Sequence, residues 1–333
     1  MRDSNQKEIS LSKEIILKVR HLVTAFDTET GRIRAVDDVS FEAGQGRTLG
    51  IVGESGCGKS VTALSLMRLL PKPSGIIESG QILFQDTDIA AIDAGEMHKI
   101  RGSRIGMIFQ EPMTSLNPVQ RIGKQIGEVF LLHYQQMSKT EIREKSVGML
   151  CKVGIPDPEK RMDEYPHQIS GGMRQRVMIA MALACRPEIL IADEPTTALD
   201  VTIQAQILEL VKSLQRETGM TVIFITHDLG VIAEISDDVV VMYAGRVAER
   251  ASAKDLFENP RHPYTRGLLS SIPRLEHPRK IKLNVIRGMV PSLHDLPGGC
   301  RFQNRCDLAR DICKAPPPLK SFGENHFASC HFA

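Results

Sequence analysis

Apolar and polar residues alternate along the first 260 or so residues, with short β-branched runs separated by longer amphipathic stretches. This alternation predicts strands flanked by helices, which is the pattern of an α/β domain. The strands are predicted at 16–19, 48–52, 105–109, 189–192, 221–225 and 239–242. Helices are predicted to begin near Lys59, Gly172 and Thr202.

One stretch inside this region has a different periodicity. Between Pro118 and Tyr165 the apolar residues recur at helical spacing, as at Ile122, Ile126 and Val129. We therefore predict a helical subdomain at about 118–170, inserted between two strands of the α/β domain.

The amino-acid composition changes after residue 259, where Pro and Cys become frequent. Proline interrupts helices and central strands, so few long elements fit there. We predict a first domain over 1–259 and a second, small Cys/Pro-rich domain over 260–333, which would need a cross-link or a metal to fold alone.

Composition and charge exclude several classes of protein. The 333 residues are 42% hydrophobic and 25% charged, which does not suit collagen, a coiled coil or a disordered chain. The net charge is only +2, so nucleic acid is not favoured as a ligand. The amino terminus lacks a signal-peptide pattern, and no apolar stretch reaches the ~18 residues of a membrane span. We expect a cytoplasmic chain whose membrane role is peripheral.

The segment GESGCGKS at 53–60 follows the apolar strand TLGIV and fits the phosphate-binding pattern GxxxxGK[ST]. Its glycines let backbone N–H groups surround a phosphate, and the following helix directs its positive end at the same anion. Lys59 is predicted to reach the β- and γ-phosphates, and Ser60 to ligate Mg²⁺. The predicted nucleotide-binding residues of this loop are Gly53, Glu54, Ser55, Gly56, Cys57, Gly58, Lys59, Ser60 and Val61.

A second signal is the segment ILIADEP at 189–195, where a buried strand ends in two adjacent carboxylates. Asp193 is predicted to hold Mg²⁺, and Glu194 to orient or deprotonate the attacking water. Together with the phosphate loop, this pair predicts a nucleoside triphosphate hydrolase.

The signature motif ISGGMRQRV at 169–177 lies between these two elements, and with it the chain resembles the ABC-type ATPases. The resemblance implies a P-loop fold with an inserted helical subdomain. It also implies that Ser170, Gly171 and Gly172 open a helix whose N-terminus contacts the γ-phosphate of ATP held by a partner subunit. Two ATP molecules would then lie between two head-to-tail subunits.

Four further residues match positions of that family in order. Gln110 resembles the glutamine that senses Mg²⁺ and the membrane partner, and Asp200 ends an ALD segment that resembles the D-loop. His227 resembles the histidine that contacts the γ-phosphate. Phe26 is predicted to stack on adenine, although a core phenylalanine would fit the same pattern.

A narrower resemblance rests on the segments EPMTSLNP, EYPHQISGGMRQRV and NPRHPYTRGLLSSIP, which are similar to those of the ATPase subunits of oligopeptide, dipeptide and nickel importers. It implies a heterodimer with a paralogous ATPase, two transmembrane permease subunits and an extracytoplasmic solute-binding protein. The chain would lie on the cytoplasmic face of the inner membrane, and its helical subdomain would receive a helix of the permease. Di- or oligopeptides are the expected solutes, with nickel or another small solute left open.

Four cysteines fall within the last 34 residues, at Cys300, Cys306, Cys313 and Cys330. Their clustering predicts a four-thiolate metal site. The importer resemblance favours a [4Fe-4S] cluster over Zn²⁺, and His331 is a further candidate ligand.

Two other functions compete with transport. A soluble ABC ATPase of DNA repair or translation would share the loop and the signature motif. However, only 59 residues separate Gln110 from Ser170, which leaves no room for a long coiled coil. An iron–sulfur redox sensor that also binds ATP is the other alternative.

Overall fold

The computed structural model of the protein describes residues 14–110, 115–197, 200–272 and 285–333. The strands within these ranges are β1 Ile15–Thr28, β2 Gly31–Gly44, β3 Thr48–Val52, β4 Gly75–Phe84, β5 Thr87–Asp88, β6 Ile105–Ile108, β7 Ile189–Asp193, β8 Thr221–Thr226, β9 Asp238–Tyr243, β10 Arg246–Ser252, β11 Leu319–Ser321 and β12 Phe327–Ser329. The α-helices are α1 Lys59–Leu66, α2 Ala94–Ile100, α3 Ile122–His133, α4 Lys139–Lys152, α5 Pro158–Arg161, α6 Gly171–Leu183, α7 Val201–Thr218, α8 Leu229–Ile235, α9 Ala253–Glu258 and α10 Pro263–Ser270.

These elements confirm the predicted α/β architecture. The six predicted strands correspond to β1, β3, β6, β7, β8 and β9. Each predicted range lies inside the observed strand or extends one residue beyond its end. The three predicted helix starts fall within a residue of the observed starts of α1, α6 and α7. A four-stranded antiparallel sheet has the order β2-β1-β4-β5, and an eight-stranded sheet has the order β11-β12-β10-β9-β3-β8-β7-β6.

The centre of the eight-stranded sheet is parallel, from β9 through β3, β8 and β7 to β6. Strands β3, β7 and β8 are buried along their whole length, which explains why they are continuous apolar runs. The carboxyl ends of parallel strands meet at one edge. The segments after β3, β6, β7 and β8 therefore converge there, and they carry the phosphate loop, Gln110, Glu194 and His227.

The predicted helical layer is present between β6 and β7 as α3, α4 and α5. A capping box at Ser138 and Glu141 begins α4, because each side chain satisfies a backbone N–H of the other residue. Apolar residues at helical spacing on α3, including Ile126 and Phe130, are buried against α4 and α6. The same helix leaves Leu132 67% exposed, so its second apolar face has no cover within the described chain.

The prediction of a separate small C-terminal domain is not confirmed, because the last strands extend the main sheet. Strand β12 pairs with β10 at Glu249 and Arg250, and β11 pairs with β12. Glu249 is fully buried and accepts hydrogen bonds from the backbone N–H groups of Arg261 and His262, and it also bonds His326. Two of the four cysteines in this region, Cys300 and Cys306, pack against the core of the α/β layer.

The structure predicts that His262 makes stability depend on pH. Burial lowers the pKa of His262 to about 4, and its Nδ1 accepts a hydrogen bond from the backbone N–H of Tyr264. The unfolded chain binds this proton near pH 6.5, so the free energy of unfolding is highest above that pH. It falls by up to about 3 kcal/mol as the pH drops towards 4.

Chemical denaturation of His262→Asn between pH 7 and pH 5 measures this effect. Asparagine keeps an acceptor at the start of α10 but has no titrating group, so the variant should lose less stability with acid than the unmodified chain. His294→Asn, at an exposed position, is the matched control and should follow the unmodified chain. Parallel pH curves for all three proteins would contradict the assignment.

Candidate nucleotide site

The phosphate loop joins β3 to α1, as its sequence predicts. Gly56 and Gly58 have φ angles of 78° and 102°, in the left-handed region that favours glycine. A Cβ at Gly58 would lie 2.6 Å from the carbonyl oxygen of Ala35, so only glycine fits there. Ser55 and Gly56 are exposed at the tip, whereas Cys57 is fully buried and fills space beneath the loop. Burial raises the pKa of the Cys57 thiol, consistent with an inert side chain.

Lys59 is folded back across the loop that contains it. Its ammonium group donates hydrogen bonds to the carbonyl oxygens of Gly53 and Glu54, at 2.8 and 3.2 Å. The side chain is only 4% exposed, and its Nζ lies 3.9 Å from a carboxylate oxygen of Glu194. The loop therefore holds a buried cation beside the predicted position of the phosphates.

Ser60 and Asp193 meet across the sheet edge, as expected of two residues that share Mg²⁺. The Ser60 hydroxyl donates to Oδ1 of Asp193 at 3.0 Å. Burial, together with repulsion from Glu194, raises the pKa of Asp193 to about 6. A hydroxyl and a carboxylate are oxygen ligands of the kind that Mg²⁺ prefers, so this pair fits the ion.

Glu194 is the point at which the predicted catalytic residues converge. It is 8% exposed, and it has a φ of 46°, an uncommon conformation for a residue that is not glycine. Gln110 donates to its Oε2 at 3.2 Å, and Nδ1 of His227 lies 3.4 Å from the same atom. Thr197, which was not predicted, donates to that oxygen at 2.9 Å. Lys59 lies beside the other oxygen, Oε1, so four neighbours orient the Glu194 carboxylate. A carboxylate held in this way can accept a proton from water.

The signature motif lies on a different surface feature, the start of α6. The Ser170 hydroxyl caps the helix by accepting from the backbone N–H of Met173. Ser170 and Gly171 are exposed, so the N–H groups of this helix end face outward. A Cβ at Gly172 would lie 3.1 Å from Ile203 of α7, which packs the two helix starts together.

Asp200 begins the neighbouring helix α7. Its side chain accepts from the backbone N–H of Ile203 at 2.9 Å, and it is exposed. The other two residues of the predicted D-loop lie outside the described residues. The described part of the motif is therefore a helix cap beside the signature helix, on the same outward surface.

Phe26 is half-buried on β1, where it is paired with Ile33 of β2 and Gly75 of β4. Its ring lies close to Gly75, since a Cβ there would be 3.0 Å from Phe26 Cε1. Stacking on adenine stays a prediction for this residue. Part of the segment after Gln110, at 111–114, also lies outside the described residues.

An apolar groove lies between the helical layer and the sheet, with a volume of about 310 Å³. Its wall on the sheet side is formed by Met107 and Phe109, directly before Gln110. Its other wall comes from α3 and α6, and includes Leu132 and Met181. The groove therefore opens one residue away from the side chain that contacts Glu194.

The four C-terminal cysteines are neighbours but do not form a metal site in this structure. Burial, with lesser contributions from the other three thiols, raises the pKa of Cys300, and burial likewise raises that of Cys306. No group of three or more His, Cys, Asp or Glu side chains in the described ranges has the arrangement needed to hold a metal ion. The predicted [4Fe-4S] or Zn²⁺ site, with His331 as a further ligand, is therefore not confirmed.

Sequence reasoning missed the contacts that the C-terminal region makes with the phosphate loop. Tyr264 of α10 accepts a hydrogen bond from the backbone N–H of Glu54 at 2.9 Å. Arg305 forms two hydrogen bonds with the Glu54 carboxylate, at 2.6 and 3.0 Å. No local sequence signal predicts these contacts, because each residue is more than 200 positions from its partner.

Solved structures place this arrangement in a known class. The dimeric structure of MJ0796, a bacterial ABC transporter cassette, matches with a TM-score of 0.64 and 28% identity over 71% of this chain and 98% of that one. The structure of cbiO1 from Clostridium perfringens, part of the cbiONQ complex, matches with a TM-score of 0.62 and 30% identity over 74% and 92%. The fold and the site are those of an ATP-binding cassette ATPase.

Sequence comparison identifies the family. The pattern of the ABC transporter family matches residues 36–197, and that of the oligopeptide/dipeptide transporter C-terminal region matches residues 248–313. A putative peptide import ATP-binding protein of Brucella ovis is 54% identical over 96% of this chain and 98% of its own. The dipeptide transport ATP-binding protein DppD of Bacillus subtilis is 52% identical over 95% of both chains, and the oligopeptide transport ATP-binding protein OppD of Escherichia coli is 51% identical over 95% and 93%. The chain belongs to the ABC transporter family, in the group that carries the oligopeptide/dipeptide transporter C-terminal region.

Proposed function

We propose that this protein is the ATP-hydrolysing subunit of an importer that takes up di- or oligopeptides through partner permease subunits. The observation that carries the proposal is the convergence of Lys59, Gln110 and His227 on Glu194, one residue from an apolar groove. The naming of relatives that are 51–54% identical over nearly the whole chain as peptide transport or peptide import proteins supports the peptide substrate.

In this proposal each residue at the sheet edge has one task. The backbone of the phosphate loop and Lys59 bind the triphosphate, and Ser60 with Asp193 would hold Mg²⁺, which would neutralise charge on the phosphates. Glu194 accepts the proton of the attacking water. His227 is 60% exposed, and it is placed to contact the γ-phosphate while one nitrogen faces Glu194.

A second ATPase subunit is needed to complete the site. The exposed start of α6 at Ser170 presents backbone N–H groups and the positive end of a helix dipole, which suit a phosphate. The solved cassette MJ0796 is dimeric. We propose a head-to-tail pair with a paralogous ATPase, in which each signature helix caps the nucleotide on the other subunit. ATP then favours the closed pair because it contacts both subunits only in that state.

The apolar groove is the proposed docking site for a helix of the permease. No helix in the described part of the chain is long and apolar enough to cross a membrane. In the proposed importer the membrane-spanning part is formed by the permease subunits, and the chain would act at the cytoplasmic face of the inner membrane. A helix seated between Phe109 and Leu132 would touch the residue next to Gln110, so its movement would reach Glu194 through one hydrogen bond.

A charge placed in this groove should separate the subunit from its permeases. Leu132 is 67% exposed, so Leu132→Glu should fold normally but bury a charge on docking, and recovery of the permeases should fall at least about tenfold. Uptake of a labelled dipeptide by cells should fall in parallel. Met289→Glu, at an 89% exposed position outside the groove, is the control and should leave both unchanged.

Equal permease recovery with Leu132→Glu and Met289→Glu would refute the groove as the docking site. The same cells distinguish the solute, since uptake of labelled Ni²⁺ in place of the dipeptide would favour the nickel alternative. If the protein is a soluble ATPase of another kind, the cells should take up neither the dipeptide nor Ni²⁺ through it.

The [4Fe-4S] or Zn²⁺ site at Cys300, Cys306, Cys313 and Cys330 remains a prediction. The mutual proximity of the four thiols supports it, but binding would require their deprotonation and a rearrangement of the segment. Anaerobic purification followed by iron, sulfide and zinc analysis decides between the two metals. The redox-sensor alternative predicts, in addition, transport that depends on the metal while ATP hydrolysis does not.

A further inference from the structure

The phosphate loop contains one acidic side chain, Glu54, directly after its first glycine. Without a compensating cation, a carboxylate at this place would weaken ATP binding, because it repels a triphosphate that carries several negative charges. The side chain is 30% exposed, so water screens it only in part. The chain therefore needs a cation close to Glu54 if the loop is to bind ATP tightly.

Arg305 provides that cation from the C-terminal region. Its guanidinium forms a two-pronged bond with the Glu54 carboxylate, and its side chain is only 5% exposed. Its Nε donates to the carbonyl oxygen of Arg287 at 3.0 Å, and its charged end lies 5.8 Å from the centre of the Tyr243 ring. The bond to Glu54 raises the pKa of Arg305, which keeps the guanidinium charged. Glu54 and Arg305 lie in the two different family regions, 36–197 and 248–313.

A rigid aromatic cluster lies beneath the contact between Arg305 and Glu54. Tyr243, Tyr264 and Phe302 are all nearly buried and pack as an aromatic cluster, with ring centroids 4.7 to 5.4 Å apart. Tyr243 ends a central strand, whereas Phe302 lies three residues before Arg305. The cluster therefore fixes the C-terminal segment against the sheet at the height of the phosphate loop.

The position of the Glu54 backbone does not depend on Arg305. The Tyr264 hydroxyl accepts from the Glu54 N–H, and Lys59 donates to the Glu54 carbonyl oxygen. These two bonds hold the loop, but neither offsets the charge of the side chain. We propose that Arg305 is a positioning residue of the nucleotide site that acts through Glu54, and that its task is to compensate the carboxylate and direct it away from the triphosphate.

Equilibrium binding of ATP with Mg²⁺ to the full chain, measured by calorimetry, tests this inference with four variants. Arg305→Met leaves an uncompensated carboxylate beside the phosphates and should weaken ATP binding about tenfold, as expected for a like charge about 10 Å away at an effective dielectric constant of about 20. Glu54→Gln keeps the backbone by which Glu54 belongs to the loop, removes only the side-chain charge and leaves the Arg305 guanidinium uncompensated, so it should bind ATP more tightly than the unmodified chain. The double variant should recover to within about threefold of Glu54→Gln. Arg310→Met removes an exposed arginine of the same segment and should change nothing.

Ionic strength gives a readout that a purely structural role would not move. The deficit of Arg305→Met should shrink as salt rises from about 0.05 M to about 0.5 M, because salt screens the repulsion. A loss of packing would give the same deficit at both salt concentrations, and a double variant as weak as Arg305→Met. Either result would overturn the inference, as would unaltered binding by Arg305→Met.

If Arg305→Met fails to fold, Glu54→Gln and Arg305→Lys carry the test. Neither should bind ATP more than about threefold less tightly than the unmodified chain, because neither leaves an unpaired carboxylate, and a tenfold loss in Glu54→Gln would overturn the inference. The inference rests on the proposed role of the phosphate loop. An unmodified chain that binds no ATP would refute that proposed function. If the unmodified chain binds ATP and Arg305→Met binds it equally well, only this inference is refuted.

Discussion

Glu194→Gln is expected to abolish steady-state ATP turnover while ATP still binds. The amide keeps the shape of the side chain and can still accept a hydrogen bond from Gln110 or Thr197, but it cannot accept a proton from water. Loss of a general base lowers turnover by about 10²- to 10⁴-fold. Phosphate release by the purified importer complex measures turnover, and calorimetry of the same preparation measures ATP binding.

The control for this variant is Glu209→Gln, at an exposed position on α7. It changes the same atoms and should leave turnover unaltered. Undiminished hydrolysis by Glu194→Gln would show that the base lies elsewhere. A parallel loss of ATP binding would show that Glu194 holds the nucleotide site together instead of acting on water.

Lys59→Met is expected to remove ATP binding itself. The ammonium group is buried and bonds the loop carbonyl oxygens in this structure, so it is already in place for the β- and γ-phosphates. Two charge-assisted hydrogen bonds lost to methionine weaken binding by at least about 100-fold. Lys139→Met, at an exposed position on α4, is the matched control and should bind ATP normally. Equal affinities of the two variants would contradict the role of Lys59.

The parallel part of the sheet was predictable because its strands are buried on both faces and therefore consist of short β-branched runs. Helix starts were predictable where a cap or a glycine precedes an amphipathic stretch, as at Ser170 and Asp200. The ends of β3, β6, β7 and β8 carry the predicted loop and polar residues. Parallel topology then brings them together, so local motifs were sufficient for this part of the site.

The C-terminal region was harder to predict for a physical reason. A sequence rich in Pro and Cys indicates a separate unit, but β12 forms hydrogen bonds with the edge of β10, and β11 in turn pairs with β12. Glu249 and His326 pair across 77 positions of chain, and Glu54 and Arg305 across 251. Such pairs depend on the folded path of the chain, which periodicity and spacing do not encode.

Anaerobic affinity purification of the tagged chain from membranes of its own cells, in mild detergent, tests the central claim most directly. Mass spectrometry of the copurifying proteins should identify two polytopic permeases and a second ATPase, and a solute-binding protein recovered with them would provide a route to the peptide. Repeated recovery of the chain without any membrane partner, or with nucleic acid, would contradict the assignment to an importer. The assignment as an ATPase would not be affected by that result.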